Sequence, residues 1–168
     1  GPVVTVRGGR SLPMMSVVYV GDLRLAGEVV SARGDTTTVQ VYEDTAGLGY
    51  GQPVYPTGMP MSVLLGPGML GNIYDGIARP LGAIEARAGH FITRGITMPS
   101  IDLEKKWDVT IDISEGDKVK GGQIFARCQE TGAIEHRSMV PPDVSGTVTE
   151  VRPSGQYTAG ETLAVVVD

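Results

Sequence analysis

From Trp107 onward the chain repeats itself at a fixed offset. Val109-Thr110 returns as Val148-Thr149, Gly116 as Gly155, Gly121 as Gly160, Ile124 as Leu163, Ala126 as Val165 and Cys128 as Val167. Each unit reads as a strand, a glycine turn, a hop to a second glycine and an alternating strand. Alternation puts every second side chain on one face, and one such unit has nothing to cover that face. Two units facing each other do, which predicts a two-fold β sandwich over residues 100–168. Glycine suits both corners because it accepts positive φ without a Cβ clash.

The amino-terminal stretch, 1–65, carries a different pattern. Short β-branched runs at Val3–Val6, Ser16–Val20, Glu28–Ala32, Thr37–Tyr42, Pro53–Thr57 and Met61–Leu65 are separated by turn residues such as Gly8-Gly9, Gly21-Asp22 and Gly34-Asp35. Six strands at this spacing, with no helical period between them, predict a small closed barrel, which leaves no exposed edge. Residues 66–99 break the pattern at Gly66-Pro67-Gly68. A turn or two of helix fits Ile73–Ala78, stopped by Arg79-Pro80. The remainder, through Phe91, Ile92 and Ile96, reads as a linker. The chain is therefore mainly β, with an amino-terminal barrel at 1–65, a linker at 66–99 and a second β domain at 100–168.

Charge also changes near residue 100. Residues 1–99 carry seven Arg and seven Asp or Glu, so the whole net charge of −5 resides in 100–168. With no basic cluster, a nucleic-acid partner is not expected. No apolar run approaches the ~20 residues of a membrane span, and no leader pattern opens the chain, so direct membrane insertion is not expected either. The single cysteine, Cys128, suits a reducing compartment.

Several motifs match function only in their letters. Gly66-x-Gly68-x-x-Gly71 spells a dinucleotide fingerprint but lacks the strand before it and the full helix after it that would receive a pyrophosphate. It reads as a glycine-rich connector. Arg33-Gly34-Asp35 reads as a hairpin turn rather than an adhesion tripeptide. His90 and His136 stand apart with no ligand-spaced neighbour, there is no Gly-x-Ser-x-Gly elbow, and no Gly-Lys-Ser or Gly-Lys-Thr occurs. No catalytic, cofactor or metal residue is assigned. A carrier for biotin or lipoate has a comparable sandwich, but its hairpin needs a lysine. Here the stretch 128–145 has none, and Lys120 is the last in the chain.

The order of several long runs resembles the catalytic A subunit of archaeal/vacuolar-type (V/A-type) rotary ATPases. They are Gly1–Val4, VYVGDLRLAGEVV at 18–30, GDTTTVQVYEDTAGLGYGQPVYPTG at 34–58 and MSVLLGPGMLGNIYDGIARPL at 61–81. GHFITRG at 89–95, Lys106-Trp107, and Met139–Pro142 with Gly146 follow. The resemblance implies a barrel that joins neighbouring barrels and B subunits in a hexamer crown. It also implies a linker toward a nucleotide-binding domain and a projecting, non-homologous bulge that meets peripheral-stalk or regulatory subunits. The parent enzyme would couple ATP hydrolysis or synthesis to proton or sodium transport, as a peripheral sector on the cytoplasmic face of a membrane. In that family the phosphate loop and catalytic glutamate lie beyond the bulge, whereas this sequence ends at Asp168. Mg-ATP is thus expected in the parent and no cofactor here, with the chain inactive alone. From turn position, Glu130, Glu135, His136 and Arg137 are the candidates for partner contact. The alternatives are a stand-alone β-rich binding module or a lysine-less carrier-like fold.

Overall fold

Every strand must find partners for its backbone N–H and C=O groups, and those pairings define the architecture. The computed structural model describes residues 2–8 and 12–168. It divides into two compact units, residues 1–63 with 73–98 and residues 64–72 with 99–168. Among the described residues there are twelve strands and one short helix, as the mainly-β reading requires.

The first unit is built on one antiparallel sheet. Its strands are β1 (Val3–Arg7), β2 (Ser16–Val20), β3 (Leu25–Arg33), β4 (Thr36–Val41) and β5 (Val54–Pro60), in the order β1-β4-β3-β2-β5. Alternation sends Val18, Val20, Leu25, Val29, Val39 and Val41 to one face, where Val4, Val6, Leu48 and Val54 pack against them. The tripeptide Arg33-Gly34-Asp35 is the β3–β4 hairpin: Arg33 pairs with Thr36, and Gly34 takes φ +61°.

The expected sixth strand is absent, and Met61–Leu65 forms no ladder. Its partner has run out: Pro60 already faces Ser16, the first residue of β2, and the preceding Met15 has φ +62°, which ends the extended run. The six-stranded closed barrel is corrected to a five-stranded sheet. Among the described residues no pairing joins β1 to β5. Those two edges, with Leu48, line an open cleft of about 720 Å³.

Residues 73–98 fold with this sheet. The helix falls after Arg79-Pro80, not before it, as α1 (Leu81–Ala88). Asp75 Oδ1 accepts the N–H groups of Ile77 and Arg79, which makes 75–79 a side-chain-capped turn. Pro80 then stands at the helix entry with extended φ and ψ, where a missing N–H leaves no intrahelical bond unmade. The Arg79 guanidinium reaches Asp75 at 2.7 Å, Glu43 at 3.6 Å and the Ile96 carbonyl at 3.1 Å. Glu43 in turn accepts the Gly95 N–H at 2.8 Å. A Cβ at Gly95 would stand 1.8 Å from the Leu23 carbonyl oxygen, and φ there is +73°, so only glycine lets the segment approach this closely.

The second unit contains two antiparallel sheets. One has the order β12-β10-β7, from β7 (Lys118–Val119), β10 (Gly146–Val151) and β12 (Ala164–Val167). The other has the order β11-β6-β8-β9, from β6 (Lys106–Ile111), β8 (Ile124–Gln129), β9 (Glu135–Met139) and β11 (Gly155–Thr158). The repeat is visible in the register. Ile111 faces Ala126, and one repeat period further on Glu150 faces Val165. The halves also exchange their short strands: β7 of the first pairs with β10 of the second, and β11 of the second pairs with β6 of the first. Ile113, Val119, Val140 and Val148 form the core between them. Of the four repeat glycines only Gly116 has positive φ, so strand pairing rather than matched corners carries the two-fold relation.

The Arg79 cluster sits at 8–18% side-chain exposure. Arg79→Ala would leave two shielded carboxylates without their cation, and a broken buried pair costs about 3 kcal/mol or more. Urea unfolding should show a loss of about that size. A change below about 0.5 kcal/mol, ordinary for a surface substitution, would mean the cluster is solvated and idle.

Candidate functional site

The β8–β9 hairpin carries all four residues that the sequence offers for partner contact. Thr131 shapes its turn. The Thr131 hydroxyl oxygen accepts the N–H groups of Ala133 and Ile134, and Glu130 and Thr131 both donate N–H to the Ile134 carbonyl. Across the ladder Cys128 faces His136, Arg127 faces Arg137 and Gln129 faces Glu135. Strand alternation then divides the four candidates. Glu135 and Arg137 point outward and pair with each other at 2.9 Å, beside a second outward pair, Arg127–Asp112, at 2.8 Å. His136 lies on the opposite face and is half-buried.

Glu130 departs from the expectation of an exposed residue: its side chain is only 5% exposed. Its Oε1 accepts the N–H of Gly68 at 2.8 Å and of Leu70 at 3.0 Å. His136 Nδ1 stands 3.8 Å from the other carboxylate oxygen. The loop that receives the carboxylate is the stretch Gly66-x-Gly68-x-x-Gly71. Successive backbone N–H groups turned to one side make a concave anion receptor, the device that phosphate loops use. Here the anion is a side chain of the same unit. Burial would raise the Glu130 pKa, but the N–H bonds and the facing histidine outweigh it and hold the carboxyl below the usual glutamate value.

Gly68 is indispensable to this geometry. Its φ is +99°, and a Cβ there would meet Cζ2 of Trp107 at 3.1 Å. Asn72 Nδ2 donates to the Gly68 carbonyl at 2.6 Å, which tightens the loop. The letters of the glycine motif are legible in the sequence, but its partner lies far along the chain with nothing to mark it.

The Cys128 thiol is buried, and burial followed by the charges of Glu130 and Glu135 pushes its pKa up, the wrong direction for a nucleophile. Among the described residues no group of three or more His, Cys, Asp or Glu side chains is placed to hold a metal. No helix among them is long and apolar enough to cross a membrane.

Gly68→Ala should cost about 1–2 kcal/mol through its left-handed backbone alone, before the contact with the indole is counted. Chemical denaturation followed by Trp107 emission measures it, and an unchanged midpoint would show that the loop does not need this conformation.

Comparison with known proteins accounts for most of the chain. Residues 1–58 match the family model for the ATP synthase alpha/beta family, beta-barrel domain, and residues 98–168 match that for the ATP synthase alpha/beta subunit barrel-sandwich domain. The V-type ATP synthase alpha chain of Thermoanaerobacter sp. is 52% identical over 164 residues, covering 98% of this chain and 28% of the relative. The A subunit of the A-type ATP synthase of Methanosphaera stadtmanae is 47% identical over 166 residues, covering 99% of this chain and 28% of the relative. That of Pyrococcus abyssi is 46% identical, again over 99% of this chain but 16% of the relative. The chain thus spans under a third of the length of the curated relatives it matches. With a barrel-family sheet in front, a barrel-sandwich behind and these relatives along its whole length, the chain belongs to the ATP synthase alpha/beta family and corresponds to the amino-terminal portion of a V/A-type A subunit.

Proposed function

We propose that this chain is a non-catalytic assembly portion of a rotary ATPase A subunit. The observation that carries the reading is the identity of about half the residues, over 98% of the chain, to a V-type ATP synthase alpha chain. In this reading the amino-terminal sheet takes part in the crown of an A/B hexamer, against B subunits and neighbouring barrels. The barrel-sandwich unit offers the outer face of β8 and β9 to peripheral-stalk or regulatory subunits. The parent enzyme couples ATP turnover to proton or sodium movement from the cytoplasmic face of a membrane.

The side-chain geometry supports this division of labour. Glu135–Arg137 and Arg127–Asp112 put self-neutralised ion pairs on the outer sheet face, a surface suited to specific, reversible protein contact rather than to a core. The glycine-rich loop has its anion seat filled by Glu130, so it does not serve a nucleotide phosphate. His136 is turned away from the outer face, which leaves Glu135 and Arg137 as the contact residues among the four candidates.

Two measurements test the reading. Calorimetric titration of the chain with Mg-ATP should give no one-site binding, and micromolar affinity would overturn the non-catalytic assignment. In the full-length subunit, Arg137→Glu should leave the A/B hexamer intact in native mass spectrometry while lowering occupancy by peripheral subunits several-fold. Unchanged occupancy would remove this face from the interface.

A further inference from the structure

Residues 64–72 form a strap in the second unit, with neither helix nor ladder of their own. The strap hides little of itself: Leu64, Leu65 and Leu70 are 52%, 75% and 48% exposed. At one end the Ser100 hydroxyl donates to the Leu64 carbonyl at 2.5 Å. Gly66 approaches Ile101, and Gly68 approaches the Trp107 indole. The polar tie at its centre is Glu130, the one carboxylate that receives the N–H groups of Gly68 and Leu70. A segment with so little apolar burial owes its seating to polar bonds, and bonds to a charged acceptor are the strong ones.

We infer that Glu130 is a releasable latch: seated on the Gly68 and Leu70 amides it holds the strap on the sheet, and without that seat the strap lifts and bares the edge of Trp107. The closed state depends on charge, because bonds to an ionised acceptor are roughly twice as strong as bonds to the neutral carbonyl oxygen that a protonated carboxyl or an amide retains.

The groups that face Glu130 set the direction of the response. The strap residues 64–72 contribute N–H groups and no titratable side chain. From β9 comes His136, at 3.8 Å, and from β8 the Cys128 thiol, whose pKa is raised by burial first and then by the charges of Glu130 and Glu135. Because the folded-state pKa of Glu130 lies below the unfolded value of about 4.3, the latch contributes fully above that pH and is lost as pH falls through the lower, folded value. A protonated His136 opposes release by holding the carboxylate charged.

Hydrogen exchange resolved along the chain provides the test. Glu130→Ala should speed exchange at Gly68 and Leu70 by about 10- to 100-fold, the span expected when bonds to a charged acceptor are lost, with β6 and β8 unchanged. Adding formate, a carboxylate small enough to enter the emptied seat, should restore protection. Unchanged exchange, or protection that formate does not restore, overturns the latch. Should Glu130→Ala loosen the whole unit, the wild-type protein and Glu130→Gln decide the matter. Trp107 is the only tryptophan. Its emission should shift to the red on acidification of the wild type below about pH 4.3, before β6 and β8 lose protection. At neutral pH Glu130→Gln should already show the shifted emission. A wild-type transition that coincides with global unfolding, or neutral-pH emission unchanged in Glu130→Gln, would also overturn it.

Discussion

The exchange of short strands between the two repeat halves is the constraint on which the second unit rests. In the first half β6 pairs with β8, and in the second half β10 pairs with β12, which leaves one edge of β6 and one edge of β10 without a partner from their own half. The strand that covers each of these two edges comes from the other half: β11 pairs with β6, and β7 pairs with β10. Neither half therefore satisfies its backbone alone, and the unit folds as one body although its sequence is a duplication. Every later feature depends on this interlock. The β11–β6 pairing sets Tyr157 against Trp107, the Trp107 edge meets Gly68, and the β8–β9 hairpin grows from the same sheet to aim Glu130 at the strap.

Two segments without ladders of their own are held by contrasting chemistry. Residues 73–98 are pinned by a cation: Arg79 gathers Asp75, Glu43 and the Ile96 carbonyl, and Glu43 passes the tie on to Gly95. Residues 64–72 are pinned by an anion, the Glu130 carboxylate seated on backbone N–H groups. The difference matters for reversibility. A guanidinium keeps its charge at every ordinary pH, so the Arg79 cluster loosens only when its carboxylates take up protons. Asp75 resists that: against the pull of burial, its bonds to Arg79 and Ile77 hold it below the usual carboxylate range. A carboxylate on backbone amides can be switched off by a single proton, and the groups it leaves behind are neutral N–H donors that water can satisfy.

How much of this is legible in the sequence follows from the range of the physics involved. The internal repeat, the Gly34-Asp35 hairpin and the strands of the first sheet come from local signals, alternation and turn chemistry, which act over a few residues. The sixth barrel strand fails because a strand exists only where a partner continues, and Met15, far earlier in the chain, ends that partner. The helix lies beyond its expected place because Arg79-Pro80 reads locally as a stop. The Asp75 side chain has already capped the preceding turn, so the proline opens the next element instead. Glu130 looks solvent-facing in the sequence for the same underlying reason: a turn position fixes where the backbone goes, not what a side chain meets from a distant part of the chain.

The glycine loop separates a local property from the use made of it. Gly66-x-Gly68-x-x-Gly71 has neither the strand nor the helix of a dinucleotide fold around it, and no helix opens on the loop. Yet the property that the letters encode, consecutive N–H groups free to turn to one side, is present and in use. It needs neither the helix dipole nor a phosphate; it needs an anion within reach and glycine where a side chain would collide, here against Trp107. A glycine-rich stretch is therefore better read as an unfilled demand for negative charge than as a nucleotide signature. Where no helix follows, a carboxylate elsewhere in the same unit becomes the first occupant to seek, and a hairpin that places a glutamate at the start of its turn is well placed to supply it.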